Sequence, residues 1–348
     1  MASPTRPHIG PEWTLVAHGP DTVELRTGVW NSRTLTLNDD SRQGRLWPVL
    51  KALRDGRAAA DIATEAGVPL REVESLVDQL IGLGVMEDRP RSVLDTFLGD
   101  AFNGRSDTAA PSRVVLLEQN SIHDRVMADL KDHLDCPVEQ IVAGGEASEA
   151  LRGLDARSFT DGLQVEELRE RFAYLKGALV VAALEQNNPV RFQAIDDLAR
   201  TVGFTWMHAT VDGPFVYIGP TVVPFRTASY RTFETRVAMN IRENESYLKY
   251  KAAVAERQVI EPRTAVLDPL AGLVASHVAL EVINWMATGS NFTVNKVLGV
   301  YLPTMEIAYH EIMPLPGESL QGPRQNRDST SLYFDIREWL ADDRVVGA

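Results

Sequence analysis

Cysteine is almost missing from this chain: Cys136 stands alone among 348 residues. A disulfide within the chain is therefore excluded, as is a zinc site built on cysteine pairs. The lone thiol precedes Pro137 at an expected helix-to-strand turn, which fits an incidental thiol better than a nucleophile. Positive charge is also short, with 35 Lys and Arg against 48 Asp and Glu and a net charge of −13. Phosphate backbones are gripped by clustered Lys and Arg, so nucleic acid is not an expected partner. No continuous apolar run approaches the roughly 18–20 residues that span a bilayer. The opening stretch MASPTRPHIGPEW lacks the apolar core of a secretory signal. No membrane contact is expected, and a reduced, cytoplasmic setting is. The seven histidines are scattered, and none forms a metal-spaced pair with another His or Cys. No Gly-x-Ser-x-Gly nucleophile motif appears, nor any internal repeat or low-complexity tract.

What is present begins at residue 12. Three alternating runs, Trp13–Gly19, Thr22–Gly28 and Ser32–Asn38, are bounded by Gly, Pro, Asn or Asp and predict strands. Three helical segments follow: GRLWPVLKALRDG, AADIATEAG and PLREVESLVDQLIGLGVM. A sheet followed by a helix-turn-helix bundle makes a compact adaptor for DNA or for an extended peptide. This module is expected to occupy residues 1–88. Residues 89–112 read as a linker, with one short amphipathic helix at Ser92–Phe102 and then the polar stretch NGRSDTAAPS.

Residues 113–348 alternate strands with helices, which predicts a parallel sheet covered by helices. The expected strands include Arg113–Gln119, VEQIVAG and Ala178–Leu184. PVRFQAIDDLARTVG is a helix with Pro189 near its first turn. Two strands meet at the turn Asp212–Gly213. Asp268–Thr288 reads as a long, nearly apolar, buried helix, and a final hairpin turns near Leu302–Thr304. LYFDIREWLADD predicts a terminal amphipathic helix, Leu332–Leu340, after a polar loop at Gly317–Ser331.

Chemistry is sparse in this second part. A nucleotide-binding sheet normally places glycines after its first strand, so that backbone N–H groups approach phosphates. Here Glu118-Gln119-Asn120-Ser121 stands in that place, and an acidic side chain would meet any phosphate. Gly144-Gly145 reads as a plain turn. His277 on the apolar helix reads as a satisfied core histidine, and His310–Glu311 as strand neighbours on opposite faces. The segment Glu185–Arg191 ends a buried strand. Asn187 or Asn188 is expected to cap the next helix, and Arg191 to sit in its first turn.

The order of these segments resembles a known family. Its features are ALVVAALEQNNPVRFQAIDDLA, VDGPFVYIGPTVVPFRTASYRTF, AGLVASHVALEVINWMATG and LGVYLPTMEIAYHEIMPLPG. The large domain looks like the E1-like, ThiF-related proteins that accompany YcaO cyclodehydratases in making azoline-containing ribosomal peptides (RiPPs). Residues 12–88 resemble the winged-helix module called the RiPP recognition element, similar to the PqqD-like chaperone of pyrroloquinoline quinone biosynthesis. Together the two cover nearly the whole chain. The resemblance implies an α/β chain: a winged-helix peptide-binding module of three strands and three helices, then a degenerate Rossmann-like E1/ThiF-type domain. Catalytic relatives carry a glycine loop, acidic magnesium ligands and two Cys-x-x-Cys pairs, which would fall near Ser229–Thr232 and just after Met313-Pro314. Neither place holds cysteine.

The resemblance therefore implies a non-catalytic chain without cofactor or metal. It would bind a precursor's leader peptide and present the core to a separate YcaO-type cyclodehydratase, as in thiopeptide-type clusters. That enzyme would bind ATP and form thiazoline or oxazoline from Cys, Ser or Thr. By analogy the chain would also be a homodimer. An extended peptide can add to an exposed sheet edge, with main-chain hydrogen bonds giving affinity. The candidate edge is Ser32–Asn38, with Arg33, Thr34, Leu35, Thr36 and Leu37 as its contact residues. The candidate wall is the helix Leu70–Leu83, with Arg71, Glu74, Val77 and Asp78. Val73, Leu76, Val77 and Leu80 form its mostly core-facing stripe. Arg33 and Arg71 are either solvated surface residues or partners for an acidic leader residue. Two other classes stay open. A winged-helix regulator would need a basic recognition helix, yet PLREVESLVDQLIG holds one Arg against two Glu and one Asp, a net of −2. An active E1-like adenylating enzyme would need the missing loop and cysteines.

Overall fold

The chain divides into two units, Met1–Gly104 and Arg105–Ala348. The computed structural model describes residues 8–30, 33–87, 92–102, 111–260 and 266–316. The expected tail helix Leu332–Leu340, the loop before it, Ser32 and most of the polar linker lie outside the described residues.

The first unit runs β1 (His8–Ile9), β2 (Thr14–Gly19), β3 (Thr22–Thr27), β4 (Arg33–Asn38), α1 (Leu46–Arg54), α2 (Ala59–Ala66), α3 (Leu70–Gly82), β5 (Met86–Glu87) and α4 (Val93–Phe102). Strands β2, β3 and β4 form an antiparallel sheet in that order, and β1 pairs with β5. Alternation sets the inner face: Val23 and Leu25 of the central strand are fully buried and stand opposite Leu37 and Leu35 of β4. They share one core with Trp13, Leu50, Ile62, Val73 and Leu80. Each such side chain contributes roughly 1.5–3 kcal/mol when fully buried. Gly67 closes α2 in the left-handed conformation (φ +62°), which a glycine adopts without steric penalty. Arg54 at the end of α1 donates to the carbonyls of Gly10 and Trp13, both at 2.8 Å, and so pins the entry to β2.

The second unit runs β6 (Val114–Leu116), α5 (Ser121–Leu130), β7 (Val138–Gln140), α6 (Glu146–Gly153), α7 (Gly162–Arg171), β8 (Leu179–Leu184), α8 (Pro189–Val202), β9 (Thr205–Asp212), β10 (Phe215–Val222), α9 (Tyr230–Asn240), α10 (Asn244–Ala255), α11 (Asp268–Thr288), β11 (Lys296–Tyr301) and β12 (Glu306–Glu311). Its seven-stranded sheet has the order β12-β11-β10-β9-β8-β6-β7. The expected parallel sheet is half the story. Strands β7, β6, β8 and β9 are parallel, whereas β9 to β12 pair antiparallel: β9–β10 and β11–β12 are hairpins, and β10 reaches β11 through α9, α10 and α11. All six residues of β8 are buried, as a central parallel strand requires. Helix α11 packs along α5, and α8 against α7, α9 and α10.

Three expectations need correction. The first strand was expected to reach Gln119 but stops at Leu116, because Glu118 takes a left-handed φ of +70° and turns the chain. Helices α9 and α10 were not anticipated, since their apolar residues follow no clear 3.6-residue stripe; α10 has no buried residue at all. Finally, α11 is long and apolar enough by length and composition to cross a bilayer. Ala271, Val274, Ala275, Val278 and Val282 bury it against the unit's own core.

Candidate functional site

In the first unit β4 is the outer strand of its sheet. Asp39 N donates to Asp21 O at 2.9 Å, which continues the β3–β4 ladder in the register Thr22↔Asn38. Main-chain groups alternate sides along a strand. Arg33, Leu35 and Leu37 therefore bond toward β3, while Thr34 and Thr36 turn their N–H and C=O outward. The same two threonines are exposed. The side chains of Leu35 and Leu37 instead join the core. Arg33 is exposed, with its guanidinium 4.8 Å from the centre of the Trp13 ring, a cation–π contact. The five expected strand residues thus divide by role: Thr34 and Thr36 form an edge that is open among the described residues, and the other three hold it in place.

On α3, Arg71, Glu74 and Asp78 are exposed, while Val77 is half-buried. Val77 packs against the core cluster that also holds Leu35 and Leu37. Sequence reasoning missed two residues here. Leu70 and Ile81 are about two-fifths exposed and share a helical stripe with Glu74 and Val77. The 70, 74, 77, 81 spacing is the signal that identifies them. At the tip of the β3–β4 hairpin, Trp30 is 99% exposed. Arg26 orders that turn by donating to the carbonyls of Gly28 and Val29.

In the second unit the chain reverses direction across the sheet between β6 and β8, and ligands of open α/β sheets bind outside the carboxyl ends of such strands. Asn120 caps α5, its Oδ1 accepting from the N–H groups of Ile122 and His123 at 3.0 and 2.9 Å. Glu185, just past β8, accepts from Ser121 N at 2.9 Å. The first-turn N–H groups that would face a phosphate are thus taken by carbonyl and carboxylate oxygens of the chain itself. Asn188 caps α8 by accepting from Arg191 N, as expected of one of the two asparagines.

Glu118 was expected to face incoming phosphate. It is instead nearly buried and ion-paired to both Arg152 and Arg191. Burial pushes its carboxyl upward, but the two arginines more than offset this and hold it below the usual glutamate range. The αL turn at Glu118 is what brings its side chain inward. Beneath it His123 is fully buried, and burial drops its pKa to about 4. Farther along the same edge, Gln193, Tyr247 and Lys251 converge on the buried carboxylate of Glu234. This hub joins α8, α9 and α10, and it escaped sequence reading because α9 and α10 did. Ser229, where a cysteine pair would fall, instead caps α9 through Thr232 N. The carbonyls of Met313 and Pro314 accept from Arg236. Among the described residues, no group of His, Cys, Asp and Glu is placed to hold a metal ion. Cys136 is partly buried, which raises its thiol pKa.

No family model and no curated protein matches the sequence. Solved structures do share its fold. The heterocyclase TruD is similar over 92% of this chain and 43% of its own, with a TM-score of 0.59 and 17% identity. A heterocyclase in complex with substrate and cofactor is similar over 88% of this chain and 38% of its own, with a TM-score of 0.57 and 15% identity. The microcin C7 biosynthetic enzyme MccB, in complex with N-formylated MccA, gives a TM-score of 0.48 and 12% identity over 91% of this chain and 99% of its own. The chain thus spans less than half the length of either heterocyclase. The fold of this chain is thus shared with part of each heterocyclase structure. This overturns the expectation of a non-catalytic chain, because the structures that share the fold with TM-scores above 0.5 are heterocyclases. The missing glycine loop and cysteines speak only against one nucleotide-binding and zinc-binding pattern. They do not speak against catalysis on a sheet edge that carries Glu118, Arg152, Arg191 and Glu234.

Proposed function

We propose that this chain takes part in azoline formation on a ribosomally made precursor peptide, in a thiopeptide-type system, and that its first unit is a winged-helix RiPP recognition element that captures the leader. The leader adds to β4 as a further antiparallel strand. Its main chain bonds to Thr34 and Thr36, and its side chains rest on the α3 stripe of Leu70, Glu74, Val77 and Ile81, with Arg71 and Asp78 beside it. The observation that carries this reading is the main-chain edge at Thr34 and Thr36, open among the described residues, held on a buried sheet and joined in one chain to a unit with the heterocyclase fold.

The chain acts together with a separate YcaO-type cyclodehydratase. What supports this second partner is the coverage: the chain accounts for 43% of TruD, which leaves more than half of that heterocyclase without a counterpart here. The large unit then brings the bound precursor's Cys, Ser or Thr residues to the joint active site. The test is fluorescence polarisation of labelled leader peptides from azoline-type precursor peptides against the full chain. Saturable binding in the nanomolar-to-micromolar range is expected. A chain that leaves the leader free at high micromolar concentration refutes the capture role. Azoline formation by the YcaO-type partner alone, at the same rate with and without this chain, refutes the joint role.

A further inference from the structure

Strand β12 ends the large sheet, and among the described residues nothing pairs with its outer side. Its register with β11 runs from Lys296↔Glu311 to Tyr301↔Glu306, and Ile312 N continues the ladder by donating to Asn295 O at 2.8 Å. By alternation, Glu306, Ala308 and His310 bond toward β11, while Ile307 and Tyr309 turn their main-chain groups outward. The side chains of Ile307 and Tyr309 are each about half exposed. An open edge with large apolar residues is a template for strand pairing, and a monomer would be expected to blunt it.

We infer that this edge pairs antiparallel with β12 of a second copy, about a two-fold axis through Ala308, so that two sheets become one. The inference is independent of leader capture. Parity limits the choice of axis, because outward-facing residues must meet outward-facing residues, so the axis passes through a residue and not between two. An axis through Ala308 sets Ile307 against the partner's Tyr309, with reciprocal main-chain bonds and a β-branched–aromatic contact. It also sets Glu306 against the partner's His310, a carboxylate facing an imidazole, and both pairs occur twice by symmetry. An axis through Tyr309 would set Ile307 against the partner's Glu311. An axis through Ile307 would set Glu306 against the partner's Ala308. Only the Ala308 axis makes the strand EIAYHE complementary to itself. The small side chain at its centre suits the close approach of a non-hydrogen-bonded pair, where facing Cα atoms lie about 4.5 Å apart.

That spacing falls within the range a disulfide spans, which gives a direct test. The full chain is made with Cys136→Ser, and Ala308→Cys is added. Mild oxidation is expected to yield a covalent dimer on a non-reducing gel, while His310→Cys in the same background stays uncrosslinked, because it faces Glu306 and not itself. In light scattering the parent chain is expected to be dimeric. Ile307→Pro removes only an outward N–H and is expected to weaken dimerisation by about a hundredfold or more, with an unchanged far-ultraviolet spectrum. A monomeric parent overturns the inference. So does a dimer that Ala308→Cys fails to crosslink, or one that crosslinks equally through His310→Cys.

Discussion

The main-chain N–H of Ala183 donates to Nε2 of His123 at 3.0 Å. An N–H can only donate, so Nε2 is the unprotonated nitrogen, and the proton sits on Nδ1, 2.6 Å from the carbonyl of Glu118. A buried, neutral imidazole therefore ties the turn after β6 to the carboxyl end of β8.

This predicts a pH effect of definite sign. Burial lowers the folded-state pKa of His123 to about 4, below the ordinary 6.5. The unfolded chain takes up the proton first. Stability is then fully present above about pH 6.5 and is lost as pH falls toward 4. His123→Gln keeps one donor and one acceptor but does not titrate. Between pH 7.5 and 5 the parent should lose about 2 kcal/mol more than this variant, read from urea unfolding. Parallel stability curves for the two proteins would refute the assignment.

Glu281 works in the opposite direction. It is buried in α11, and its Oε2 accepts from both the N–H and the hydroxyl of Thr293, at 3.1 and 3.0 Å. Burial outweighs these bonds and raises its pKa to about 7. The folded state binds this proton before the unfolded chain does. The contribution is therefore present at acid pH and is lost as pH rises through about 7. Glu281→Gln should be at least as stable as the parent at pH 8, and the parent should gain about 2 kcal/mol relative to it by pH 5. Because His123 and Glu281 oppose each other, the parent's own curve should look flatter than either variant's. A Glu281→Gln protein that tracks the parent from pH 8 to 5 would contradict this.

The ion-paired Glu118 is the test of the carboxyl end of the sheet. Glu118→Gln keeps the side chain's shape but removes the charge that Arg152 and Arg191 share. Arg152 is about half exposed and Arg191 about one-fifth exposed, so solvent screens part of the loss. A destabilisation of about 1–3 kcal/mol at pH 7 is expected by thermal or urea unfolding. The glutamate's pKa is depressed in the fold. Its contribution is therefore present above the unfolded-state value and disappears as pH falls through the lower folded one, so parent and variant should converge in acid. Equal stability at pH 7 would mean the pairs contribute nothing.

The parts legible in the sequence were those with a strong local rule. Val23, Leu25, Leu35 and Leu37 alternate, and they form strands. ALVVAAL is continuously apolar, and its Leu179–Leu184 became the buried strand β8. Asn188-Pro189 carries its own helix start. The ion-paired cluster at the carboxyl end of the sheet was less legible because its chemistry is non-local. Glu118 meets Arg191 across 73 residues, and nothing near Glu118 announces a left-handed turn. Tyr230–Ala255 gave no helical stripe, so the Glu234 hub went unread. On β4 the sequence marked five residues alike, and only the ladder parity separates Thr34 and Thr36 from the rest.

That parity gives the sharpest prediction for leader capture. Proline lacks an N–H and is tolerated in a strand where that N–H faces away from the ladder. At Thr36 the missing donor is the outward one, so Thr36→Pro should leave the β3–β4 pairing and the melting temperature nearly unchanged. The added ring and lost donor should still weaken leader binding by about tenfold or more, the equivalent of one or two main-chain hydrogen bonds. Leu35→Pro removes a bond to β3 and disturbs a core residue, so it should lower stability and binding together. Val77→Arg tests the wall: a long cation on the half-buried stripe should weaken the leader without altering the sheet. The diagnostic result is the split between Thr36→Pro and Leu35→Pro in paired polarisation and melting experiments. If Thr36→Pro binds leader as tightly as the parent while Leu35→Pro unfolds, the leader does not use this edge, and capture must lie elsewhere on the chain.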